Sequence, residues 1–178
     1  MMKTRTEIIL IVLKYLALLG GIGFSIECGA ELLSLVVSFV NPDWAEKVYK
    51  VDPGWFLIRE KNAWFYIFGM SILIFTSALK ATVWYQIYYL LEKLQLQSPF
   101  SMKVTKKLED IAILLASVWI IMGIIGKTYA YYLHQATDLQ LPGLESGGEY
   151  FFIAGIVYIV SQIFKRGIEM QEENQLTV

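Results

Sequence analysis

The chain has 178 residues, 56% hydrophobic and 17% charged, with a mean hydropathy of +0.52, which is too apolar for a water-soluble domain of this size. Its 15 basic and 16 acidic residues leave a net charge of −1, so there is no basic footprint for direct nucleic-acid binding. A lone cysteine, Cys28, and a lone histidine, His134, exclude an intramolecular disulfide and form no metal-ligand cluster, and no cofactor motif is present.

Four apolar stretches follow in chain order, at residues 8–40, 64–91, 111–133 and 150–164. A helix needs about 20 apolar residues, or as few as about 17, to cross roughly 30 Å of hydrocarbon. The pattern predicts an all-α integral membrane bundle of four transmembrane helices in one domain, with spans near 8–29, 64–91, 109–133 and 150–166.

The first stretch opens on Met1-Met2-Lys3-Thr4-Arg5 and imitates a secretory signal. It is expected to remain as a span, because no small-x-small cleavage pattern follows it and Glu27 precedes Cys28 where a lipoprotein signal wants a small residue. As one helix, residues 8–40 would reach about 50 Å. The run must therefore tilt, break near Gly20-Gly21-Ile22-Gly23 or project. The expectation is a crossing at 8–29 and an apolar extension at 32–40, lying at the outer surface or folded back on the bundle.

Lys and Arg in the connections set orientation. Eight lie on one side: Lys3, Arg5, Lys93, Lys103, Lys106, Lys107, Lys165 and Arg166. Four lie on the other, Lys47, Lys50, Arg59 and Lys61, which places both termini in the cytoplasm. Trp44, Trp55 and Trp64 near one boundary and Tyr85, Tyr88 and Tyr89 near the other suit aromatic belts.

Charges inside apolar runs are costly and are functional candidates by default. Glu27 and Glu31 share a helical face at i,i+4 spacing. Glu27 lies about 28 Å along the first span counted from Ile8, and Lys127 about 27 Å along the third counted from Glu109. Either Glu27 or Glu31 pairs with Lys127 in the outer leaflet, or all three sit wet at the headgroups. Lys14 and Lys80 lie on the inner side and are expected to snorkel to cytoplasmic phosphate, with Glu92 and Asp110 as protein partners. Small-residue pairs at Ala112 and Ala116, at Ser77 and Ala81, and at Gly123 and Gly126 permit close helix approach within the chain or in a homo-oligomer. Cys28 reads as a small apolar filler and His134 as interfacial.

In the middle connection, Ser98-Pro99 predicts an N-cap and a proline at a first helical position, opening the helix into the third span. Leu141-Pro142-Gly143 and Gly147-Gly148 punctuate the loop before the fourth. The cytoplasmic tail, residues 167–178, is short and acidic.

Residues 164–178, with their Phe-basic-basic-Gly start and the ending Met170-Gln171-Glu172-Glu173-Asn174-Gln175-Leu176-Thr177-Val178, resemble the C-terminal signature of a bacterial membrane family known as domain of unknown function 2975. Met170 replaces that pattern's leucine and Gln175 its aspartate. Ser98-Pro99-Phe100-Ser101 resembles the family's middle motif. The resemblance implies a four-pass bacterial inner-membrane protein without an assigned activity, and, through frequent neighbourhood with helix-turn-helix regulators, a part in membrane-linked transcriptional control.

Two functions follow as expectations. One is a non-enzymatic regulator that docks a cytoplasmic, helix-turn-helix type partner through Pro99, Phe100, Glu172, Glu173, Asn174, Leu176 and Thr177. The other is a carrier or sensor of a small ligand or ion that uses Glu27, Glu31, Lys127 and Lys80. An enzyme is not expected, since no nucleophile or acid-base set is recognisable.

Overall fold

A computed structural model describes residues 5–41, 43–44, 53–93, 101–138 and 147–176. Every element among them is helical: α1 (Arg5–Val40), α2 (Pro53–Lys61), α3 (Ala63–Lys93), α4 (Met102–Trp119), a π-helical segment (Ile120–Gly126), α5 (Lys127–Thr137) and α6 (Gly148–Leu176). Helix α4, the π segment and α5 form one continuous rod. Among the described residues four helices are long and apolar enough to cross a membrane, as a multi-pass membrane protein requires.

Helix α1 is unbroken over 36 residues, so the expected break at Gly20-Gly21-Ile22-Gly23 is not taken. The glycines serve packing instead. A Cβ at Gly20 would lie 2.7 Å from the Trp84 ring, and one at Gly21 would lie 2.9 Å from the Tyr85 ring. Their missing side chains let α3 press its aromatic residues against the α1 backbone. Residues 32–40 continue the same helix, burying Ser34 and Ser38.

Local chemistry sets the other boundaries. Asn62 separates α2 from α3, and its Oδ1 accepts hydrogen bonds from the Trp64 and Phe65 amides at 2.9 and 3.4 Å, an N-cap. Helix α4 starts at Met102, capped by Ser101, whose hydroxyl accepts from the Val104 amide at 3.4 Å. Ser101, with extended backbone (φ −142°, ψ 148°), takes the N-cap position of α4. Ser98, Pro99 and Phe100 lie outside the described residues. Helix α5 ends on Asp138 in the left-handed region, φ 57°, with its amide bonded to the His134 carbonyl at 2.9 Å.

The helices form two antiparallel pairs, α1 with α3 and α4 with α6, joined across an α3–α4 contact. Three bonds fix the register. Lys14 pairs with Glu92 at 3.0 Å, Lys107 donates to Gln86 at 2.6 Å, and Gln162 donates to Glu109 at 3.2 Å. They gather the Arg5 end of α1, the Lys93 end of α3, the Met102 end of α4 and the Leu176 end of α6 at one basic end of the bundle. At the far end, Trp55, Ile58, Tyr66, Met70, Ile72, Tyr129 and Leu133 form a closely packed core where α2 covers α3 and α5. The short helix α2 also supplies cations to two helix ends, since Arg59 donates to the Ser38 carbonyl of α1 and Lys61 to the Thr137 carbonyl of α5 at 2.8 Å. Terminal carbonyls carry the negative pole of a helix, so both contacts are favourable electrostatically.

Candidate functional site

Lys80 stands in the middle of α3, roughly 26 Å by helical rise from Ala63 and 20 Å from Lys93. It lines a cavity of about 360 Å³ bounded by all four long helices: Phe24 of α1, Val83 and Trp84 of α3, Leu115 and Val118 of α4, and Tyr150, Ile153 and Val157 of α6, among others. The ammonium lies 5.5 Å from the Phe24 ring centre and 5.6 Å from that of Tyr150, within cation–π range of both. Lys80 therefore touches the first and last helices while being carried by neither.

The expected snorkelling of Lys80 toward the basic end does not occur. Side chains on a helix lean toward its N-terminus, and the N-terminus of α3 is at the opposite end. The same rule sends Lys14 of α1 toward the basic end, where it meets Glu92, one of the two partners expected from the sequence, and lies 5.2 Å from the Tyr88 ring centre. Asp110 is exposed on α4.

Glu31 is half-buried on the α3 side of α1. Ser77 is its hydrogen-bonding neighbour, and Lys80 and Glu27 are within electrostatic reach. Its Oε2 is enclosed with no hydrogen-bonding partner among the described residues. Glu27, one turn away, is exposed on α1. Next to Glu27, Cys28 faces α3 and its thiol donates to the Ile74 carbonyl at 3.6 Å, as a small interhelical filler would.

The proposed pairing of Glu27 or Glu31 with Lys127 is not formed. Lys127 is exposed at the start of α5, whereas Tyr129, two positions on and about 200° around the helix, is buried and donates to the Phe65 carbonyl at 2.9 Å. Since Glu31 is level with Ser77 and Tyr129 with Phe65 and Gly69, Lys127 lies about 12 Å farther from the basic end than Glu31. Counting depth from Ile8 and Glu109 as if they were level produced the false match. Glu109 bonds Gln162 well inside the bundle, and α4 begins seven positions earlier.

The docking candidates divide between described and undescribed parts. Glu172 and Glu173 are exposed near the end of α6, and Glu173 lies in the field of Arg166, which pairs with Glu169 at 2.9 Å. Thr177 lies outside the described residues, as do the side chains of Asn174 and Leu176.

Among the features sequence reasoning missed are the π segment and the hollow beside it. The π segment Ile120–Gly126 has only its glycines as a signal, and Gly147 at the head of α6 packs on it, where a Cβ would lie 3.2 Å from the Gly123 amide nitrogen. A second, wider hollow of about 670 Å³ lies beside it, lined by Phe65, Phe68, Ile124, Thr128, Tyr132 and Gln135 and by neighbouring residues. His134 is exposed on the last turn of α5.

A family model described as a protein of unknown function (DUF2975) matches residues 40–178, well over half of the chain. Comparison with curated proteins and with solved structures found no match.

Proposed function

The chain belongs to the DUF2975 family, and on that premise we propose that it is a small bacterial inner-membrane protein acting as a non-enzymatic regulator. In this reading it holds a soluble cytoplasmic protein, of the helix-turn-helix kind, at the membrane. One observation carries the reading: α6 runs unbroken from the cavity wall at Tyr150 to Leu176. Some 15 Å of helix thus projects past Arg166, presenting the exposed Glu172 and Glu173. A rigid helix that lines an intramembrane cavity at one end and offers an acidic surface at the other can link the two physically. The excess of Lys and Arg at the basic end supports a cytoplasmic orientation of that end.

The test is affinity purification in gentle detergent of the full chain, of a chain ending at Arg166, and of Glu172→Lys. A DNA-binding protein should be retained by the full chain, lost from the shortened one and reduced at least about fivefold by the charge reversal. Equal retention by all three forms, or by none, would overturn the docking role.

A second reading, a sensor or carrier of a small ligand, is supported by the Lys80 cavity. Of the residues expected for it, Lys80 stands at the centre with Glu31 beside it, while Phe24 and Tyr150 take the places of Glu27 and Lys127.

A further inference from the structure

We propose that the cavity bounded by α1, α3, α4 and α6 binds a long-chain fatty acid, its carboxylate on the Lys80 ammonium and its single acyl chain along Val83, Leu115, Ile153 and Val157. The inference rests on the sensor reading and names its ligand.

Charge is the first argument. The three N–H donors of an ammonium cannot be satisfied by ring faces alone, and Lys80 has no ion pair among the described residues. Glu31 acts on it only through space and is bonded by Ser77. A cation in so apolar a setting is strongly favoured by an anion that can enter.

Shape is the second. At about 360 Å³ the cavity is at the small end of ligand pockets. That is the room of roughly a dozen waters, which suits one acyl chain rather than two. Apart from Lys80 and the Tyr150 hydroxyl, its lining side chains are apolar or present aromatic faces.

Depth is the third. Lys80 lies roughly 20 Å or more from both ends of α3. A phospholipid phosphate is tethered at the headgroup layer by its glycerol and two chains, whereas a free fatty acid is not. The ammonium is therefore placed for a carboxylate that travels with its own chain.

The experiment uses the full chain in phosphatidylcholine vesicles with a diazirine-bearing palmitate, mapping cross-links by peptide mass spectrometry. Saturable labelling of the α4 and α6 cavity walls is expected, displaced by palmitate and about tenfold or more less readily by hexadecanol, which lacks the charge. Lys80→Met should weaken labelling about tenfold or more, and Lys80→Arg should retain it. Ile153→Trp fills the apolar part while keeping Lys80, so it should abolish labelling, and it decides the matter if Lys80→Met fails to accumulate. Equal displacement by hexadecanol and palmitate, or displacement by phosphatidylglycerol but not palmitate, would overturn the fatty-acid assignment and leave the sensor reading standing. No saturable labelling by any of these amphiphiles would overturn both.

Discussion

Gly69 shows how a single missing side chain can organise a core. A Cβ there would lie 2.5 Å from both the Trp55 ring and the Tyr129 hydroxyl oxygen, two groups already fixed by the packing between α2, α3 and α5. Neither can yield without disturbing its neighbours. Gly69→Ala should therefore destabilise the protein by about 2 kcal/mol, even after the roughly 1 kcal/mol that alanine gains in helix propensity. Thermal unfolding in detergent would read this as a lowered midpoint. Gly23→Ala, with nothing within 4 Å of the added carbon, should leave the midpoint unchanged or raise it slightly. The sequence marked Ser77 with Ala81 and Gly123 with Gly126 because they recur at helical spacing, but Gly69 has no such partner and went unmarked. Lys80 was visible as a charge out of place. Its aromatic neighbours were not, because Phe24 and Tyr150 lie 56 and 70 positions away and only the tertiary arrangement joins them.

Among the elements, the π segment has the clearest mechanical meaning. A π turn accommodates an extra residue within an α-helix, so the helices on either side keep their faces only while the extra residue is present or its turn relaxes. Deleting Ile125 should let Ile120–Gly126 relax to α-helix with Tyr129 still directed at Phe65, and the protein should accumulate in membranes. Deleting Ile113, inside regular α4, should instead rotate everything beyond it by about 100° and sharply reduce accumulation. Membrane-fraction immunoblots of the two variants compare these outcomes directly, and equal loss would refute the interpretation. The long helices were legible because an apolar run of sufficient length is a local property. Their ends were less so. Helix α1 passes through Gly20-Gly21-Ile22-Gly23 unbroken, and the facing Trp84 and Tyr85 need Gly20 and Gly21; a sequence motif cannot tell a packing notch from a break. Helix α2 was not foreseen as an element, and its Arg59 and Lys61, first counted as topological signals, turn out to serve the ends of α1 and α5 as well.

For the molecule as a whole, the even number of long helices returns both described ends to one side. The orientation proposed above predicts opposite accessibility for His134 and Glu172. In a Cys28→Ser background, His134→Cys should react with an impermeant maleimide in intact cells, and Glu172→Cys only after permeabilisation. Labelling of both from the same side, or the reverse pattern, would sink the cytoplasmic docking reading along with the orientation. The four-span architecture was open to sequence reading, whereas the partition into an α1–α3 pair and an α4–α6 pair was not, since hydropathy carries no information about which spans are neighbours. That partition also has a meaning in time. A ribosome adding about 5–20 residues per second finishes the first pair at Lys93 and needs roughly 3–11 s more to reach Tyr150, 57 positions on (150 minus 93). Until α6 is made, Lys80 lacks the Tyr150 ring and, of its two ring contacts, has Phe24 alone already synthesised. The newborn half-bundle thus shelters its most awkward charge with a residue made beforehand, and a pause in translation prolongs the time for which that shelter must suffice.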